Sequence, residues 1–217
     1  MLRQAGPLAE ATTLGAVGCV DAISPDPRAE LGRSARYDDP MIRITARLRL
    51  QPFSEEPLDA LLDFFRDAWV RRFLLDDALV DRAWVTAEIK ESRERFAAGS
   101  LGLYAAYPRD ASDSLVGFVG FRPFYDPPVL QLVYGVAPQY VGRGFASELA
   151  KAAVDLAFSE HGFTEVRAST DEPNHASVRV LKRLGMRLVS TSPGERWPQL
   201  HFLLPRPDAG CGKPEMP

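Results

Sequence analysis

Residues 41–50 alternate without interruption: Ile42, Ile44, Ala46, Leu48 and Leu50 are apolar, with Arg43, Thr45, Arg47 and Arg49 between them. A period of two predicts a half-buried β-strand. After the breaker Pro57 the period lengthens, and Leu58, Leu61, Leu62, Phe65 and Trp69 form one stripe. That spacing predicts a helix over 58–71. A second helix is predicted over 81–98, closed by Gly99. Three strand-like runs follow at 101–107, 115–122 and 129–137, and the Asp-, Ser- and Pro-rich turns between them suit antiparallel hairpins. Next come a helix at 144–159, a strand at 165–170, a helix at 176–184 ended by Gly185, and short strands at 187–191 and 200–204. The predicted order is β-αα-βββ-α-β-α-ββ. Its central strand–helix–strand passage implies one parallel pair with a right-handed crossover. The fold class is therefore α+β, not a doubly wound sheet.

The flanks lack these patterns. Residues 1–40 hold one aromatic, Tyr37, and four prolines, which buries too little apolar surface to offset ordering entropy. A disordered N-terminal leader is expected over 1–40, a folded domain over 41–204 and a flexible C-terminal tail over 205–217. Met41 is then a candidate translation start. Leu14 to Cys19 faintly resembles a lipoprotein cleavage site, but Glu10, Thr12 and Thr13 interrupt the stretch before it, so export is not expected.

Composition narrows the chemistry. Of 217 residues 46% are hydrophobic, enough for a core, and the formal charge of -3 offers no general attraction for nucleic acid or anionic membranes. No apolar run approaches the roughly 20 residues of a membrane span. Cys19 and Cys211 sit near opposite ends, and His161, His175 and His201 are scattered with no metal-ligand spacing. No metal is expected, and a cytoplasmic address fits.

The most informative stretch runs Ala137-Pro138-Gln139-Tyr140-Val141-Gly142-Arg143-Gly144-Phe145-Ala146, between a predicted strand and a predicted helix. Two glycines there let backbone approach a ligand, and the unpaired N–H groups of a helix start form an anion site. The helix dipole adds roughly 0.3–1 kcal/mol per exposed anion, and Arg143 adds a positive side chain. The phosphate motifs G-x-x-x-x-G-K-[ST] and G-x-G-x-x-G are both unmet.

Gln139-Tyr140-Val141-Gly142-Arg143-Gly144 resembles the pyrophosphate loop Q/R-x-x-G-x-G/A of the GNAT superfamily of acetyl-CoA-dependent N-acyltransferases. The stretch from Asn174 through Ser177 to Leu184-Gly185-Met186 is similar to the N-x-x-S…L-G-F/M segment of the RimJ/RimL-type branch, which acetylates N-termini of ribosomal proteins. Thr45 to Leu50 is similar to that branch's first strand. The resemblance implies a mixed, mostly antiparallel sheet of about 6–7 strands flanked by about 4 helices, with a splay between the fourth and fifth strands. Acetyl-CoA would lie in that splay. Val136 would offer backbone groups to the pantetheine arm and the oxyanion, and the amides of Val141, Gly142, Arg143, Gly144, Phe145 and Ala146, after Gln139, would receive the pyrophosphate. Asn174 and Ser177 would contact the cofactor near its sulfur, although Asn174 also suits a helix N-cap.

Many superfamily members protonate the departing sulfur with a tyrosine seven residues after the asparagine, where this chain has Leu181. Ser177 is the substitute acid that the resemblance suggests. A thiol of pKa about 8.5 leaves with little help. For the base, Asp171, Glu172, Asp126 and a water chain all stay open, with Asp171 carried forward. Tyr134 faces the cleft, to pack or to touch substrate. An α-amine of pKa near 8 is easier to deprotonate than lysine by about 3 kcal/mol, so a peptide α-amine is favoured as acceptor. A small-molecule amine such as an aminoglycoside or polyamine, and a non-catalytic acyl-CoA-binding regulatory domain, are the alternatives. The segment 69–77 would wall the acceptor pocket. Oligomeric state stays open between monomer and homodimer.

Overall fold

The computed structural model describes residues 41–110 and 113–207; the expected leader and residues 208–217 of the expected tail lie outside them. Among the described residues the strands are β1 (Arg43–Ile44), β2 (Leu48–Pro52), β3 (Leu103–Pro108), β4 (Gly117–Phe124), β5 (Val129–Val136), β6 (Glu165–Asp171), β7 (Arg187–Ser192) and β8 (Gln199–Pro205). The helices are α1 (Leu58–Arg66), α2 (Ala68–Leu74), α3 (Arg82–Ala97), α4 (Phe145–Ser159) and α5 (His175–Arg183), with a 3-10 turn at Pro138–Tyr140. All eight strands form one sheet in the order β1-β2-β3-β4-β5-β6-β8-β7. Every neighbouring pair is antiparallel except β5–β6.

The expected counts of about 6–7 strands and about 4 helices are corrected to eight and five, and both differences have local causes. The predicted first strand folds back on itself at Thr45, whose N–H donates to the Leu48 carbonyl at 2.8 Å while its hydroxyl accepts from the Leu48 N–H at 3.0 Å. A tight turn therefore splits 41–50 into β1 and β2. The predicted helix over 58–71 breaks at Asp67, whose ψ of 132° leaves the helical region. Its carboxylate then caps the next helix by accepting from the Trp69 N–H at 2.8 Å and the Val70 N–H at 3.4 Å. Asp is a poor interior helix residue and a good cap, so the apolar stripe runs through a junction that it does not reveal. α2 runs on to Leu74, past the predicted end at 71, and the ends of α3, α4 and α5 fall within a residue of expectation. β8 continues to Pro205, which pairs with Glu165.

Apolar side chains cover both faces of the sheet. On one face, Leu149, Ala153 and Ala157 of α4 and Leu181 of α5 pack on Leu132, Val166, Ala168 and Phe202. On the other, Leu61, Phe64 and Phe65 of α1 and Val85 and Ile89 of α3 pack on Leu103, Ala105 and Phe118. Phe65 meets Phe118 with ring centroids 5.3 Å apart, and Phe64 meets it edge-on at 5.8 Å. Arg49, at a polar position of the predicted strand, is buried all the same, with its guanidinium 5.2 Å from the Tyr107 ring centroid.

The β1–β2 turn is tied to the start of α4. The Glu148 carboxylate accepts from the Thr45 hydroxyl at 2.6 Å, the Arg47 N–H at 2.8 Å and the Arg47 Nε at 2.7 Å. Arg47 Nη1 also donates to the Arg143 carbonyl at 2.9 Å, and its guanidinium lies 4.3 Å from the Phe145 ring centroid. Burial alone would raise the Glu148 carboxyl, but the bonds from Thr45 and Arg47 outweigh it and hold its pKa below the ordinary 4.5. The clamp's contribution to stability is thus complete above the ordinary carboxylate range and fades as pH falls through the lowered value. Glu148→Gln should lower the melting temperature at neutral pH, with a gap from wild type that closes below about pH 4. Melting curves across pH check this, and a gap that widens toward acid would contradict it.

Candidate active site

β5 and β6 meet at one register only, Gln131 opposite Arg167. Beyond it, toward Val136 and Asp171, the two C-terminal halves have no mutual pairing. The Ala137 N–H is occupied by the Val116 carbonyl at 2.9 Å. Alternation along β5 therefore turns the Val136 N–H the other way, toward the open edge. A cavity of about 610 Å³ occupies this gap and reaches both faces of the sheet.

Gly142 and Gly144 line one end of the cavity with φ of 81° and 80°, the left-handed region that disfavours other residues. Gly144 is the N-cap of α4 and makes no side-chain cap bond, which leaves the first-turn amides turned outward. A Cβ at Gly142 would meet nothing within 4 Å, and one at Gly144 only Arg47 Nη2 at 3.6 Å, so open space stands in front of the loop. Val141 and Ala146 also line the cavity. Gln139 and Arg143 are exposed beside it, with the Arg143 guanidinium 5.6 Å from the Tyr140 ring centroid. Phe145 packs edge-on against Tyr140, so only its backbone is placed for a ligand. Outward amides at a helix start, two glycines and the cavity behind them fit a diphosphate with a long thiol-bearing arm. Arg179 and Arg183, one turn apart on α5, add positive charge to the wall. Sequence reading passed over them because a basic helix face has no distinctive pattern of its own.

Asn174 caps α5: its Oδ1 accepts from the Ser177 N–H at 3.2 Å, and both residues line the cavity. The Ser177 hydroxyl lies 2.8 Å from the Tyr134 phenol. Burial pushes that phenol up to about 12, against a smaller opposing effect of the Ser177 bond, so it stays protonated. Leu181, where a tyrosine was sought, is a core residue 1% exposed. A phenol therefore does reach Ser177, from β5 rather than from α5.

The three carboxylate candidates separate cleanly. Asp171 is 5% exposed, lines the cavity, and has an Oδ2 without a hydrogen-bond partner. Burial raises its pKa and Asp76 adds to the shift, while the bond from Gln199 and the charge of Arg196 oppose it. Glu172 and Asp126 are exposed. Along β6, Asp171 shares a face with Ser169, whereas Tyr134 on β5 packs with Leu181 on the α4–α5 side. The phenol–hydroxyl pair and the carboxylate thus flank the gap from opposite faces of the sheet.

At the Asp171 side, α2 supplies Trp69 and Phe73, and Phe73 packs on Trp197 with centroids 5.4 Å apart. Asp77, in the turn after α2, pairs with Arg196. The segment 69–77 is therefore helix and turn together. No group of three His, Cys, Asp or Glu side chains that could hold a metal occurs among the described residues, and no helix there is long and apolar enough to cross a membrane.

The chain belongs to the acetyltransferase (GNAT) domain family, whose model matches residues 47–187. It is an acyltransferase, which sets aside the non-catalytic alternative. It is 25% identical over 146 residues to the uncharacterized N-acetyltransferase YnaD of Bacillus subtilis, covering 66% of this chain and 81% of that one. Among solved structures it is similar to the ribosomal L7/L12 alpha-N-protein acetyltransferase RimL, at 15% identity and a TM-score of 0.63 over 76% of this chain and 93% of that one. It is also similar to YncA of Salmonella typhimurium, solved with its cofactor acetyl-CoA, at 15% identity and a TM-score of 0.60 over 77% and 98%.

Proposed function

We propose that this acetyltransferase transfers the acetyl group of acetyl-CoA to a primary amine, with a peptide α-amine as the favoured acceptor, and that it belongs to the RimJ/RimL-type branch. The observation that carries the reading is the unpaired half of the β5–β6 junction, with an anion loop at one end and a buried carboxylate with one unpartnered oxygen beside it. Similarity to RimL and YncA supports both donor and acceptor class.

The donor supplies a thioester carbonyl for attack and a thiolate that departs. Amides from Val141 to Ala146 hold its diphosphate, and the Val136 N–H, turned into the gap, stabilises the oxyanion. Asp171 takes the proton that the nitrogen sheds as it attacks, with a basicity already raised by burial. Ser177, backed by Tyr134, donates to the departing sulfur from the opposite face.

Ser177→Ala should lower kcat by about ten-fold without abolishing turnover, because a thiolate leaves readily. Adding Tyr134→Phe should lower it little further, since the two groups act as one unit. Steady-state kinetics of both variants check this, and full kcat in Ser177→Ala would contradict the assignment. The reading as a whole is tested by acetyl-CoA turnover across peptides and small amines. Turnover with peptides bearing a free α-amine, and loss of it on N-terminal blocking, is expected. Exclusive turnover of polyamines or aminoglycosides would replace the acceptor assignment.

A further inference from the structure

Accounting for protons exposes a need that Asp171 and Ser177 leave unmet. An ammonium that becomes an amide nitrogen loses two protons, and the departing sulfur takes up only one. The other has to pass from the acceptor nitrogen in the cavity to solvent. Asp171 is buried, and its neighbour Gln199 cannot carry a proton onward.

Two residues before Asp171 on the same face of β6, about 7 Å along the strand, Ser169 also lines the cavity. Its hydroxyl lies 2.8 Å from Nδ1 of His201, its register partner on β8. The opposite ring nitrogen, Nε2, lies 2.7 Å from the Ser192 hydroxyl on β7, the last strand at that end of the sheet. One imidazole thus bridges a hydroxyl in the cavity wall and a hydroxyl on the outer strand. A neutral imidazole has one donor and one acceptor nitrogen, so it accepts from one serine while donating to the other. We propose that Ser169, His201 and Ser192 form a proton relay that takes the ammonium proton of the acceptor from the cavity to solvent.

An N–H bond of the ammonium breaks and its proton passes to Ser169 Oγ, directly or through one water, as the serine's own proton moves to Nδ1 of His201. The imidazolium then releases its Nε2 proton through Ser192 to water; the ring, left with its proton on Nδ1, regains the Nε2–H tautomer by exchange with solvent, and rotation of the two hydroxyls completes the reset. The net change is one proton moved from ammonium to solvent, leaving a neutral amine beside Asp171. Burial lowers the His201 pKa below the ordinary 6.5, which keeps the ring neutral and able to accept near pH 7. The groups that face it are Ser169 from β6, Ser192 from β7 and the Tyr125 phenol from the β4–β5 turn at 3.5 Å. The nearest charges along that face of β6 are Arg167, paired with Glu165, and Asp171.

The relay rests on the acyl-transfer reading, and graded acceptors separate the two. His201→Gln keeps hydrogen-bonding capacity but cannot titrate. Compare it with wild type on a peptide led by alanine and on the same peptide led by trifluoroalanine, whose amine is far less basic, from about pH 6 to about pH 9. On the alanine peptide the variant should lose about ten-fold in kcat/KM near pH 7 and recover toward the alkaline end, where solvent deprotonates the amine. On the fluorinated peptide it should stay within about two-fold, because that amine arrives neutral. Ser169→Ala should show the same pattern, and carries the test if His201→Gln does not fold. An equal loss on both peptides at every pH, as a purely structural histidine would give, overturns the relay. If wild type acetylates neither peptide, the α-amine reading fails, and ethylamine against hydroxylamine makes the same comparison of a basic with a weakly basic nucleophile. Equal loss on that pair overturns the relay as well.

Discussion

Asp171→Asn should reduce kcat/KM for the amine by about a hundred-fold while leaving the KM for acetyl-CoA within about two-fold of wild type. The carboxylate sits at the end of β6 with one oxygen unpartnered and the anion loop on the far side of the gap. Its removal therefore takes away the proton acceptor and leaves the donor's cradle intact. The stability effect has the opposite sign. A carboxyl whose pKa is raised in the folded protein destabilises the fold at every pH above its ordinary value of 3.8. The amide removes that cost, so at neutral pH the melting temperature should hold or rise. Kinetics and melting curves on one sample thus separate loss of chemistry from loss of fold. A variant with unchanged kcat/KM would move the base elsewhere.

The second large effect is expected at the loop. Gly144→Asp places a non-glycine residue at φ 80°, at a cost of roughly 1–2 kcal/mol, and sets a negative side chain in the open space before the first-turn amides. Like charge there should raise the KM for acetyl-CoA by at least about ten-fold. Little change is expected in kcat at saturating donor, because the loop lies away from Asp171 and Ser177. Gly144→Ala isolates the backbone component and should show a much smaller rise. Equal effects from the two substitutions would mean that the loop's shape, and not its charge preference, governs donor binding.

How much of this was readable in advance depends on whether a feature is local. The loop from Gln139 to Ala146 and the start of α5 at Asn174 are short-range motifs, and their glycines and cap act through neighbouring backbone. The helices over 82–97, 145–159 and 175–183 are marked in the sequence by the glycines just beyond them, Gly99, Gly162 and Gly185. Thr45 and Asp67 hid their turns because their side-chain bonds compete with a periodicity that otherwise runs through them. Pairings across the sheet were out of reach for a different reason. Tyr134 and Ser177 lie 43 residues apart, and Ser169 and His201 lie 32 apart, so only the register brings them together. A serine, a tyrosine or a lone histidine has no sequence signature of what it faces. Asp171, Glu172 and Asp126 were indistinguishable as turn acids until burial set the first apart.

Because the cavity opens on both sides of the sheet, it is a corridor with two doors. Donor and acceptor can each enter and withdraw by its own door, so neither has to wait for the other. Kinetic patterns with no compulsory order of addition are the natural outcome, and a single inhibitor that joins the two ligands would be threaded through the corridor and slow to escape from either end.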